Sequence, residues 1–127
     1  VNPFGHIDLR VDDLRAAARF YGDLLPALGF ERMYPGDRWL VWATGDDLPH
    51  AAYFAVTEDP GHVPNQTRIA FWAAGTADVD LLATVAERAG ARIESGPRPC
   101  PEYSRSYYAV FFQDPSGNRL EIYHRTD

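Results

Sequence analysis

Polar and apolar positions alternate from Gly5 to Val11, with Ile7, Leu9 and Val11 on one face and His6, Asp8 and Arg10 on the other. That period of two predicts a half-buried strand with His6 turned away from the apolar side. The period then lengthens. Leu14, Ala17, Ala18, Tyr21, Leu24, Leu25 and Leu28 recur at helical spacing, so a helix is expected, capped by Asp12 or Asp13 and left through Leu28-Gly29-Phe30. Pro26 should kink this helix or end it early, because proline lacks the N–H donor and crowds the preceding turn. Strand-like runs at about 30–34, 39–43 and 51–56 follow, separated by Pro35-Gly36-Asp37 and Gly45-Asp46-Asp47. The first half reads β-α-β-β-β.

From Thr67 the pattern restarts. Residues 68–73 form a strand-like run, and Thr76 or Asp78 opens a helix through Val79, Leu82, Ala83, Ala86 and Ala89 that ends at Gly90. Strands at about 91–94, 107–113 and 119–124 complete a second β-α-β-β-β. With His6 laid over Arg68, Gly29 falls one residue out of register with Gly90, a slip that extra helix length near Pro26 would absorb. Two modules are therefore expected, at about 4–58 and 66–125, joined by a linker at 59–65 that contains Asp59-Pro60-Gly61.

Composition removes several classes of function. The chain has 127 residues, 46% of them hydrophobic, enough for one domain with a real core. Its net charge is −6, with no basic cluster, which argues against nucleic acid as a partner. All 12 basic residues are arginine, so Schiff-base chemistry and a P-loop lysine are excluded. Cys100 is the single cysteine, and no internal disulfide can form. No apolar run is long enough to span a bilayer, and no basic leader precedes an apolar segment; a cytoplasmic protein with no membrane partner is expected.

The most informative stretch is the last hairpin. Tyr107 through Asp114-Pro115-Ser116-Gly117-Asn118 to Glu121 places an aromatic strand, a tight turn and one carboxylate among apolar neighbours. Together with Gly5-His6-Ile7-Asp8-Leu9-Arg10-Val11-Asp12-Asp13-Leu14, Phe20-Tyr21, Leu28-Gly29-Phe30 and Ile69-Ala70-Phe71, it resembles the vicinal oxygen chelate superfamily over nearly the whole chain. That superfamily includes glyoxalase I, bleomycin-resistance proteins, fosfomycin-resistance thiol transferases and extradiol dioxygenases. The resemblance implies an α+β fold of two βαβββ modules whose mixed sheet curls into a cup with helices outside. It also implies a small-molecule ligand or substrate and a homodimer.

In metal-dependent relatives, strand residues lining the cup bind a divalent metal that substrate oxygens chelate. His6 matches the family's first-strand ligand and Glu121 its last-strand carboxylate, which would also make Glu121 catalytic. Imidazole and carboxylate suit Fe, Mn, Ni or Zn. This chain departs from the pattern at two places. Arg68 stands where a second histidine is usual and cannot ligate, since a guanidinium offers only donors. The carboxylate that glyoxalases carry late in the first module falls around Tyr53, Phe54 or Ala55. Glu121 could instead form an ion pair with Arg68, or with Arg10 or Arg119.

Arg68, Trp72, Arg10 and Tyr107 are the candidate substrate-binding residues. Strand parity sets Trp72 on the face of Arg68, a lining suited to a planar or anionic molecule. His50, His62 and His124 are read as solvent-facing. The segment from Ser95 to Ser106, with three prolines, is too irregular for a strand and is either a flap over the cup or a plain connection. Arg98 and Arg105 near Cys100 could lower its pKa, but no general base is identifiable beside it. Two functions stay open. One is a divalent-metal-dependent lyase, isomerase, dioxygenase or thiol transferase with an atypical site; the other is a metal-free protein that sequesters its ligand, as bleomycin-resistance proteins do.

Overall fold

The computed structural model describes residues 3–46 and 49–127, in two compact units, Val1–His62 and Val63–Asp127. The first contains β1 (His6–Val11), α1 (Leu14–Ala27), β2 (Phe30–Pro35), β3 (Trp39–Thr44) and β4 (Tyr53–Glu58). The second contains β5 (Arg68–Trp72), α2 (Thr76–Ala89), β6 (Arg92–Pro99), β7 (Tyr108–Gln113) and β8 (Arg119–His124). Each unit is a four-stranded mixed sheet, in the orders β1-β4-β3-β2 and β5-β8-β7-β6, with its first strand parallel to its last. The α+β fold of paired βαβββ modules expected from the repeat is therefore present.

Each sheet is covered by its own helix on one face only. In the first unit, Phe20, Tyr21, Leu24 and Leu25 of α1 are fully buried with Val11, Phe54 and Val56. Tyr21 meets Phe20, Phe54 and Trp42 at ring separations of 4.9, 5.4 and 6.3 Å. In the second, Val79, Leu82 and Ala86 of α2 are buried over a sheet whose Val110, Phe112, Leu120 and Ile122 are inaccessible to solvent. Because side chains alternate along a strand, everything between those core positions projects from the opposite, open face. The functional candidates stand on these open faces.

Three local expectations are corrected. Pro26 lies inside α1, which runs on through Ala27. Its missing N–H forfeits a single bond, while Leu28 N–H reaches the carbonyls of Leu24 and Leu25 and Gly29 N–H that of Pro26. The repeat's one-residue slip is not extra helix either, since both helices have 14 residues. The slip falls at the cap. Leu28 closes α1 in the right-handed region before Gly29 turns at φ 100°, whereas Gly90 itself closes α2 at φ 116°. Finally, β6 extends to Pro99, through residues expected to be irregular. Register shifts between Ile93 and Ser95 and between Ser95 and Arg98 let this edge strand carry prolines that a regular ladder would reject.

Candidate functional site

On the open face of the first unit, the parallel register sets His6 beside Tyr53, Asp8 beside Ala55 and Arg10 beside Thr57. Strand β3 adds Trp39 opposite Thr57 and Val41 opposite Ala55. His6, Asp8, Trp39, Val41, Tyr53, Ala55 and Thr57 line a concavity of about 310 Å³. Its polar groups are ordered. Asp8 takes the Arg10 guanidinium at 2.8 Å and accepts a hydrogen bond from the Thr57 hydroxyl at 2.9 Å. Trp39 stays 47% exposed, with its indole laid against the Cα of Gly36, where any Cβ would come within 1.7 Å of the ring.

The open face of the second unit is partly closed. Its register pairs Arg68 with Arg119, Ala70 with Glu121 and Trp72 with Tyr123, and β7 sets Phe111 opposite Glu121. The loop after β6 turns back over this face, and Cys100 is fully buried in a cluster with Ala109 and Phe111, against which Tyr107 and Tyr123 pack. Tyr107 stacks on Tyr123 with ring centroids 4.9 Å apart and planes 3° off parallel, and meets Tyr103 at 5.1 Å. Its hydroxyl donates to Glu121 at 2.5 Å, and Glu121 is 6% exposed. Burial first, and then the bond to Glu121, raise the Tyr107 pKa well above the usual tyrosine value. The phenol stays neutral.

Arg68 and Glu121 are not an ion pair. In the register Arg68 faces Arg119, two residues short of Glu121. The Arg68 guanidinium lies over the Phe111 ring instead, 4.9 Å from its centroid. Arg98 stands over the same ring at 5.5 Å and pairs with Glu102. Trp72 does share the face of Arg68; it is 59% exposed and meets the His124 ring at 5.8 Å, while His124 Nδ1 lies 2.7 Å from the Ala73 carbonyl oxygen. The expected lowering of the Cys100 pKa is also reversed. Desolvation outweighs the attraction of Arg98, and the thiol is pushed up.

The metal ligands implied by the resemblance divide between the units, His6 on β1 of the first and Glu121 on β8 of the second. The repeat shows what each lacks. Arg68 occupies the position equivalent to His6, and Ala55 the position equivalent to Glu121. Among the described residues no group of three or more His, Cys, Asp or Glu gathers to hold a metal ion. A stable site usually takes at least three protein ligands, and the resemblance supplies two here, His6 and Glu121.

Asp8, Trp39, Tyr53 and Thr57 were not singled out for the site from the sequence. Their signal was strand parity with His6, legible once the β1 to β4 register is known. The Asp-Pro-Ser-Gly-Asn turn, by contrast, is wholly structural. The Asp114 carboxylate accepts from the N–H groups of Ser116 and Asn118, both at 2.9 Å, and from the Asn118 amide at 3.0 Å. Gly117 turns at φ 85°.

A pair of βαβββ modules, each with one helix-covered and one open sheet face, defines a class of small α+β proteins. Residues 4–122 match the Glyoxalase/Bleomycin resistance protein/Dioxygenase superfamily, and the chain belongs to it. The chain is 27% identical over 127 residues to the uncharacterized protein YqjT of Bacillus subtilis (strain 168), a match that covers 92% of this chain and 94% of that one. Among solved structures, a glyoxalase/bleomycin resistance protein from Albidiferax ferrireducens T118 superposes with a TM-score of 0.82 at 21% identity, over 98% of this chain and 100% of that one. The fosfomycin resistance protein FosX from Mesorhizobium loti gives 0.71 at 21% identity, over 99% and 94%. Likeness at these identities concerns the fold.

Proposed function

We propose that the chain is a small-molecule-binding member of this superfamily, taking a planar aromatic ligand with an anionic group, without a resident metal. The observation that carries the reading is the concavity on the first module. Its volume lies at the low end for small-molecule sites, and apolar walls with a few ordered polar groups are the usual composition of such sites. Trp39 and Tyr53 offer aromatic surface, and His6 and Asp8 supply hydrogen-bonding groups. The open face of the second module separately offers Arg68 to an anionic group and Trp72 to an aromatic one. Arg10 and Tyr107 act through the acids they hold, Asp8 and Glu121. No helix among the described residues is long and apolar enough to cross a membrane, and we take the working form to be a cytoplasmic homodimer.

The test titrates tryptophan fluorescence with planar aromatic carboxylates, before and after EDTA, with metal content read by mass spectrometry. Saturable quenching that survives EDTA and is lost in Trp39→Ala is the expected result. Near one equivalent of metal, lost in Glu121→Ala, with ligand binding abolished by EDTA, would overturn it. That outcome favours the second reading, a metal-dependent lyase or dioxygenase built on His6 and Glu121.

A further inference from the structure

We infer that Arg68 and Arg119 together form a clamp for a doubly charged oxyanion, a phosphate or phosphonate group, on the open face of the second module. The inference rests on the reading above in giving Arg68 an anion to bind, and adds Arg119 and the ligand's charge. The two arginines are directly opposed on neighbouring strands, β5 and β8, in parallel register. Residues so paired share a face, and Leu120 and Ile122, buried on the α2 side, fix that face as the open one. Like charges placed directly opposite each other across strands are unfavourable unless something compensates them. No carboxylate among the described residues forms an ion pair with either.

The acids nearby are committed to other donors. Glu121, two residues along β8 from Arg119, accepts from Tyr107. Glu94 accepts from Gln113 at 3.4 Å, and Gln113 is the β7 partner of Arg119. Arg98, a further cation on this face, is already paired with Glu102. Arg92, opposite Gln113, extends the same row, so Arg68 and Arg119 are the guanidinium groups directly opposed on neighbouring strands, and neither forms an ion pair with a described carboxylate.

Arg68 is also partly pre-ordered. Its place over the Phe111 ring restrains the guanidinium, whose N–H donors form no ion pair with a described carboxylate. Less rotamer freedom is then lost when a ligand arrives. Guanidinium groups match the oxygens of phosphate in pairs of parallel hydrogen bonds, a geometry that chloride cannot use. A net charge of −6 makes the chain repel anions at long range, so selective affinity for phosphate requires a local arrangement of this kind. Two opposed guanidinium charges are balanced by two negative charges, which is why a doubly charged group is specified over a monocarboxylate.

The experiment follows thermal unfolding of the full chain in inorganic phosphate, acetate and chloride at matched ionic strength, for the parent, Arg68→Gln and Arg119→Gln. Phosphate should raise Tm saturably above chloride, acetate should do so less or not at all, and each substitution should weaken apparent phosphate affinity by about tenfold or more. In phosphate-free buffer at low salt, Arg119→Gln should be at least as stable as the parent, since the cross-strand repulsion is gone; this separates a lost clamp from a damaged fold. No phosphate effect beyond chloride in the parent would overturn the clamp, as would an effect unchanged by Arg119→Gln, the mark of an adventitious ion only. An unliganded Arg119→Gln much less stable than the parent would also count against it. Quenching by a neutral aromatic probe that is lost in Trp39→Ala and kept in Trp72→Phe reports the first module independently, so the two readings can fail separately.

Discussion

At the scale of single residues, two buried acids have been given neutral or backbone donors, and that fixes what they can do. Asp114, 3% exposed, organises its turn through two backbone N–H groups and one amide. Asp114→Ala would strand those donors and should cost about 2 kcal/mol or more, read as a lower urea midpoint at unchanged slope. Glu121 is held by Tyr107. Tyr107→Phe should cost about 1–2 kcal/mol, the scale of a bond to a charged acceptor. It should also flatten the alkaline limb of stability. A phenol whose pKa is raised on folding contributes fully below the unfolded value of about 10, and the contribution fades as pH rises beyond it. Urea unfolding from pH 9 upward should show the parent losing stability faster than Tyr107→Phe. The same carboxylate was legible in the sequence as an acid on a sheet face in need of a partner, but its partner was not. Tyr107 lies outside β7, in a loop whose return over the sheet follows from burial of Cys100, and no periodicity encodes that return.

At the scale of elements, the two helices show how capping chemistry was readable while exact ends were not. Asp13 caps α1 by accepting from the N–H groups of Arg15 and Ala16, one of the two acids the sequence offered. The start of α2 at Thr76 was also legible, yet its cap is Gly75, with no side-chain bond. Gly75 has extended backbone, φ −165°, and a Cβ there would meet nothing nearer than an Asp78 oxygen at 3.8 Å. Gly75→Ser should therefore stabilise the chain by about 0.3 kcal/mol, whereas Asp13→Ala should cost about 1 kcal/mol, both measurable by chemical denaturation. Strand β8 falls where alternation put it, and β6 does not stop where its alternation stops. The difference is physical: period two describes a regular ladder, and β6 continues through bulges and prolines that obscure it.

For the whole molecule, the duplication is the organising fact, and it was the most legible one, because the β-α-β-β-β pattern restarts within one chain. The modules have since diverged at matched positions. One keeps histidine and has alanine where an acid could stand; the other keeps the acid and has arginine where histidine could stand. Arg68→His would give the second module two ligand types on adjacent strands, still one donor short of a stable site, so zinc or nickel uptake no stronger than the parent's is the expected calorimetric result. Stoichiometric uptake by the variant alone would show that the substitution at position 68 is what disables the site.

The burial of Cys100 has a practical corollary. With its lone thiol sealed beneath three tyrosines and Phe111, the native chain should be inert to maleimide reagents under folding conditions. A cysteine introduced at an exposed site such as Leu81 or Met33 would then be the only thiol a probe can reach, with no native residue to remove first. Labels placed in this way, one per module, would let ligand-driven motion be followed as a distance in solution.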